Sequence, residues 1–173
     1  AMARSGYDFL KKHTSSAPKI RVYTPAPNEA DTAKNYAAVQ VLNYDKPFLV
    51  DSLSAELTRL GFTLYETIHP IVFVRRDKNG NLTEILDEET FRRQKNSGAK
   101  AESLIYFLIS PLPGDMSKDR LKEHLEQVLE QVFLAVSDWK AMLEQCVSVR
   151  KEMAALTSVK DKEARRKTVN FLE

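Results

Sequence analysis

Residues 43–76 read NYDKPFLVDSLSAELTRLGFTLYETIHPIVFVRR, and this stretch decides the fold. It parses as a strand end, a tight turn, an amphipathic helix, a glycine stop and a long strand. The turn is Asp45-Lys46-Pro47-Phe48. Asp45 suits the N-cap, where a carboxylate accepts from the free N–H groups of a first helical turn. Pro47 is tolerated there because those N–H groups have no intrahelical partner. Leu49, Leu53, Leu57 and Leu60 fall on one helical face, and Gly61 supplies the left-handed residue that ends many helices. Phe62 to Arg76 follows as one long strand. His69-Pro70 within it predicts a bulge or a sheet edge, since proline cannot donate to a ladder.

Upstream, Tyr7, Phe9 and Leu10 form the end of a helix. Ile20 to Thr24 alternates apolar and polar and is closed by Pro25 and Pro27, as suits an edge strand. A polar loop over 28–35 leads to a second strand, Tyr36 to Leu42, with Val39 and Val41 on one face. Downstream, Lys78-Asn79-Gly80-Asn81 carries a hairpin signal, so Leu82 to Leu86 returns alongside. Asp87 to Lys100 is charged and forms a helical turn plus loop, ending in Asn96-Ser97-Gly98. Ser103 to Ile109 is an apolar run without alternation, which marks a central strand buried on both faces. Ser117 is the natural N-cap of a long helix. Its apolar residues Leu121, Leu125, Val128, Val132, Val136, Trp139 and Leu143 recur at three and four, with Ser137-Asp138 marking a kink or a second N-cap.

This order predicts an α+β fold: a ferredoxin-like antiparallel sheet with helices on one face, followed by a long C-terminal helical segment. The usual last strand is missing after the long helix, and Ile20–Thr24 is expected to fill that edge. The domain plan is an N-terminal remnant and linker over 1–19, the α+β domain over 20–136, and a helical extension over 137–173.

With 173 residues, 43% apolar and 29% charged, the chain has the composition of one soluble globular domain. A net charge of +2 is too small to argue for a nucleic-acid or acidic-membrane partner. RNA binding on a ferredoxin-like sheet would also need the aromatic-rich strand pattern, which is missing. Cys146 is the sole cysteine, so neither an internal disulfide nor a cysteine zinc site can form, which fits a reducing compartment. No apolar run has transmembrane length and no signal-peptide pattern opens the chain, so a cytoplasmic location without a membrane partner is expected.

Catalytic constellations are hard to find. The five glycines build neither a dinucleotide fingerprint nor a P-loop. His13, His69 and His124 have no metal-ligand spacing, and His69 before a proline is expected to be structural. Cys146, on the helix stripe, is expected to be buried and inert. Asp45 and Asp51 are explained by capping and by the helix dipole. Arg75-Arg76 and Arg92-Arg93 are interleaved with Asp77, Asp87, Glu88 and Glu89, which predicts a solvated surface. Trp139 is expected in the core, with contact to another domain as the alternative. The apolar stripe beyond residue 140 is too long for a sheet whose strands span about 20 Å, which favours a partner surface.

The pattern Asn43-x-Asp45-x-Pro47-Phe48-Leu49-Val50-Asp51-Ser52, Leu57-x-x-Leu60-Gly61, then Ile68-His69-Pro70-Ile71-x-x-Val74-x-Arg76-Asp77 resembles the N-terminal region of the large NAD-specific glutamate dehydrogenases of bacteria. Arg21-Val22-Tyr23-x-Pro25, Val136-x-Asp138-Trp139-x-x-Met142, Glu163-Ala164 and Phe171-Leu172 extend the likeness from about Ile20 to the end. The resemblance implies an ACT-like domain serving regulation and subunit assembly, without a catalytic residue or a cofactor of its own. It implies a parent that oxidises L-glutamate to 2-oxoglutarate and ammonium with NAD, and partners in that parent's other domains and subunits. Ordinary ACT domains carry Asp-x-Pro-Gly at the first turn, where a small amino-acid effector binds. By that likeness Asp45, Lys46, Pro47 and Phe48 are the candidate ligand-binding residues. The departure is Phe48, which is expected to cap the apolar layer or plug the site where glycine would allow close approach.

Overall fold

The computed structural model describes residues 2–14, 17–26, 36–94, 98–155 and 167. The chain forms two compact units, Ala1–Val132 and Phe133–Glu173. In the first, helix α1 (Met2–Leu10) precedes strand β1 (Lys19–Tyr23), β2 (Ala37–Tyr44), helix α2 (Leu49–Arg59), β3 (Leu64–Ile68), β4 (Ile71–Arg76), β5 (Leu82–Leu86), the short helix α3 (Glu88–Arg93) and β6 (Lys100–Ile109). Helix α4 (Lys118–Ala155) begins in the first unit and continues into the second. Residues 27–35 and 95–97, where the polar loop and the Asn96-Ser97 part of the later loop were expected, lie outside the described residues.

One antiparallel sheet runs in the order β1-β2-β6-β4-β5, with β3 also paired to β6. β6 is central, as its apolar run predicts, flanked by β2 on one side and by β3 and β4 on the other. β1 takes the edge beside β2, with Ile20 opposite Val41, and so fills the place of the strand missing after α4. The expected single strand over 62–76 is two strands laid end to end along β6. They are separated by His69-Pro70, where Leu104 N donates to Pro70 O at 3.0 Å. A bulge does occur, but at Tyr65, where the register slips between Leu64 and Glu66.

Strand alternation divides the sheet into two faces. Val39, Val41, Ile105, Phe107 and Ile109 share one face and are buried. Leu49, Leu53 and Leu57 of α2 are buried, as are Leu121, Leu125, Leu129 and Val132 of α4. The two helices are neighbours, since His124 Nδ1 stands 3.6 Å from Glu56 Oε1. Leu129 thus takes the inward place assigned above to Val128, which is half-buried because four-residue steps from Leu121 and Leu125 reach 129. Ser117 caps α4 through Arg120 N at 3.0 Å. On the opposite face α1 lays Phe9 and Leu10 against Leu42 and Val74, so the helices occupy both faces, with the main pair on one.

The loop between β4 and β5 is longer than a two-residue hairpin. Asp77 Oδ1 accepts from Asn79 N at 2.9 Å and Asn81 N at 2.8 Å. Gly80, at φ 80, lies where an added Cβ would stand 2.4 Å from His13 O, so no side chain fits. Asp87 caps α3 through Thr90 N at 2.8 Å.

In the second unit α4 continues to Ala155 without interruption. Ser137 Oγ donates to Leu134 O at 2.9 Å, a back-bond within the helix, so Ser137 is not a second N-cap. Trp139 is 56% exposed, against the core packing expected of it, and Leu134, Met142, Leu143, Val147 and Val149 are exposed as well. Cys146 is exposed rather than buried. Helical period alone places such residues on a stripe but does not say what covers it. Leu156, Val159, Val169, Phe171 and Leu172 lie outside the described residues. Among the described residues no helix is long and apolar enough to cross a membrane.

Candidate functional site

The Asp45–Phe48 turn departs from its expected geometry. Helix α2 begins at Leu49, and its N-cap is Phe48, with φ 68 and ψ 5 and no side-chain cap. Pro47 holds φ near −65°, and Phe48 has the backbone of the third position in a type II turn, which favours glycine. Pro47 therefore lies ahead of the helix, and Asp45 does not cap it. Phe48 thus holds a backbone conformation that glycine would adopt without a Cβ penalty. The phenyl ring neither plugs the turn nor caps the core, since Phe48 is 59% exposed. Glycine in this place removes a left-handed cost of about 1–2 kcal/mol and returns part of it as unfolded-state entropy. Phe48→Gly is expected to raise the melting temperature by about 2–4 °C. Phe48→Val, β-branched at positive φ, is expected to lower it; a thermal melt of each variant measures both.

Asp45 reaches across the sheet instead. Its backbone N donates to Ala101 O at 3.0 Å, and its Oδ1 accepts from Ser103 Oγ at 2.6 Å. Ser103, fully buried, also meets His69 Nε2 at 2.9 Å. The two quoted motifs, Asn43-x-Asp45 and His69-Pro70, are thus joined through one serine on β6. A hydroxyl has one proton and a carboxylate only accepts, so Ser103 donates to Asp45 and His69 Nε2–H donates to Ser103. A nucleophilic serine needs the reverse order, with its proton held by histidine. The arrangement fixes the chain; it does not prepare Ser103 to attack. Lys46 is half-buried beside it, and Asp51 lies in the first turn of α2, where its charge complements the helix dipole.

A second polar cluster escapes sequence reasoning. Glu102 and Arg76 have side chains only 1% and 11% exposed, joined by Arg76 Nε and Nη2 to the two carboxylate oxygens at 2.7 Å each. Arg76 Nη1 donates to Gly80 O at 3.0 Å and Nη2 to Leu10 O at 2.9 Å. Buried His13 adds Nδ1 at 3.3 Å from Glu102 Oε1, while its Nε2 meets Ala17 O at 3.2 Å. Burial pushes the Glu102 carboxyl up, but hydrogen bonds from Arg76 and His13, with their charges, outweigh it and hold the group below its ordinary value. Arg76 is therefore no solvated surface residue. Its neighbours fit that reading better: Arg75 pairs with Glu84, Arg92 with Glu88 and Arg93 with Glu89, all at partly or well exposed positions. A cavity of about 240 Å³ opens beside the cluster, lined by Tyr44, Lys78 and Lys100 among others. With four of its five N–H donors engaged, Arg76 ties α1, the β4–β5 loop and β6 together. The signal available in sequence was Glu102 itself, an acid heading a buried strand, which demands a partner.

Among the described residues no group of three or more His, Cys, Asp or Glu is placed to hold a metal. The strand order, the α2–α4 pair and the motifs joined through Ser103 define an ACT-like α+β domain. The chain belongs to the glutamate dehydrogenase ACT1 domain family, whose model matches residues 1–125. It is 30% identical over 138 residues to an NAD-specific glutamate dehydrogenase of Pseudomonas aeruginosa, covering 80% of this chain and 8% of that protein. To an NAD-specific glutamate dehydrogenase of Halomonas elongata it is 28% identical over 170 residues, 98% of this chain and 10% of that one. The chain thus spans about a tenth of the length of these relatives.

Proposed function

We propose that this chain is a non-catalytic regulatory and assembly module of a cytoplasmic NAD-dependent glutamate dehydrogenase, whose parent converts L-glutamate to 2-oxoglutarate and ammonium. NAD and the reacting groups belong to other domains of that parent, and residues 137–173 lead toward the next of them. The observation that carries this reading is the exposed apolar row Trp139, Met142, Leu143 and Val147, recurring at three and four on one helix. A row of that kind is a surface for another domain or subunit. Support comes also from the motif residues, whose polar groups are engaged in holding the sheet. Purified chain is expected to form no NADH from NAD and L-glutamate; measurable turnover sinks the proposal.

A second reading keeps the module and makes it an amino-acid sensor at Asp45, Lys46, Pro47 and Phe48. It is favoured by the exposure of Phe48, which leaves the turn unplugged. Calorimetric titration with the common amino acids decides it. A heat signal lost in Asp45→Ala supports sensing, and silence across the panel removes it.

A further inference from the structure

The sheet face that carries α1 is only partly covered. Arg21, Gln40, Tyr106 and Ile68 stand opposite one another in register and form one row across β1, β2, β6 and β3. Where α1 stops covering that row a cavity of about 260 Å³ opens. Gln40, Leu104 and Tyr106 floor it, Ile68 and Pro70 stand on one side, and Gly6 of α1 on the other. None of its described lining residues is charged. The volume exceeds the cavity of about 150 Å³ that accepts benzene in an engineered protein.

One polar group is aimed by its surroundings. Gln40 is only 2% exposed, and its Oε1 accepts from Arg21 Nη2. Arginine only donates, so the amide cannot be flipped, and its NH2 points away from Arg21. That nitrogen has no hydrogen-bond partner among the described residues. Arg21 Nη2 also donates to Ser5 Oγ at 2.8 Å, so one guanidinium fixes both the amide and the helix that walls one side of the cavity. Arg21 is here a positioning residue.

We propose that this cavity is a binding site for a small neutral molecule with an apolar, ring-sized body and one carbonyl or ring-nitrogen acceptor, held by the Gln40 amide. A carboxylate would lose its hydration there without meeting a cation among the lining residues. A pure hydrocarbon would displace water from the amide without replacing its hydrogen bond. The site lies across the sheet from Ser103 and the Asp45 turn, so it goes beyond the reading proposed above. Its failure would leave that reading intact.

Benzamide is a suitable probe, with benzoate and toluene as controls, titrated into the 15N-labelled 173-residue protein. Benzamide is expected to shift the Gln40 side-chain NH2 and the Gly6 amide saturably, with a Kd on the order of millimolar for so few atoms. Benzoate and toluene are expected to bind at least about ten-fold more weakly, the size of one lost hydrogen bond. Gly6→Leu fills the space from a position where an added Cβ makes only ordinary contact, 3.6 Å from Leu104 Cδ2, and should abolish the shifts. Ile68→Glu, at a wall position 37% exposed, tests the same point should Gly6→Leu perturb the helix. Equal affinity for benzoate or toluene overturns the proposal. So does the absence of a saturable shift, or shifts that persist in both variants with their folded spectra intact.

Discussion

Arg76→Met is expected to destabilise the protein by about 3–5 kcal/mol at pH 7, the cost of stranding one charge of a buried pair. Glu102 would keep its buried carboxylate with only His13 at 3.3 Å, the Leu10 carbonyl would lose the Arg76 donor, and Gly80 O would keep only His13 N at 2.9 Å. The loss should depend on pH in a defined direction. Glu102 is held below its ordinary value in the folded protein. Such a group contributes stability above its unfolded pKa of about 4.3, and that contribution fades as pH falls through this value toward the folded one. In Arg76→Met burial is no longer outweighed by the guanidinium, so the stranded carboxyl takes its proton above its ordinary range, and the deficit should shrink progressively as pH falls from 7. Glu102→Gln should flatten the same limb of the stability curve, leaving the part due to Asp8, Glu56, Asp77 and Asp87, whose pKa values are also lowered. Urea midpoints measured from pH 7 down to 3.5 check this. A deficit constant across that range would show that Arg76 acts by packing alone.

The cluster also marks where sequence reading runs out. The central and edge strands were legible because each carries a local sign, the apolar run of β6 and the alternation before Pro25, whereas the proline between β3 and β4 suggested only a bulge or an edge within one strand. Even the replacement of a missing last strand by β1 follows from counting elements. Partners across the sheet leave no such sign. Asp45 looked like an N-cap because its neighbours in sequence are a turn and a helix. Pro47 and Phe48 build their own turn first, so the helix starts too far along for Asp45 to reach its N–H groups. The carboxylate is then free to meet Ser103, fifty-eight residues away. Arg76 was misread for a related reason: the charges near it in sequence suggested water, while the charge it meets is on another strand. Gln40 sat unremarked between Val39 and Val41, since alternation shows which face a residue takes but not what stands over it.

Leu53→Ala should cost about 2–5 kcal/mol, whereas Trp139→Ala should leave stability nearly unchanged although it removes more atoms. The difference follows from burial. Leu53 is fully buried on α2, so truncation loses its transfer free energy and leaves a cavity that close-packed neighbours refill only in part. Trp139 is more than half exposed, so its ring has little buried area to lose. A fall in melting temperature of roughly 10 °C for the first and under about 2 °C for the second is the expected pattern in this chain. The ranking should reverse in assembly. If the helix is covered in the parent enzyme as proposed above, Trp139→Glu there should weaken that association by at least about ten-fold, because large aromatics carry much of the energy of an interface. Analytical ultracentrifugation of the parent and of its Trp139→Glu variant measures it. A variant that assembles as the parent does would remove Trp139 from the interface. A large loss of stability in Trp139→Ala would place it in a core.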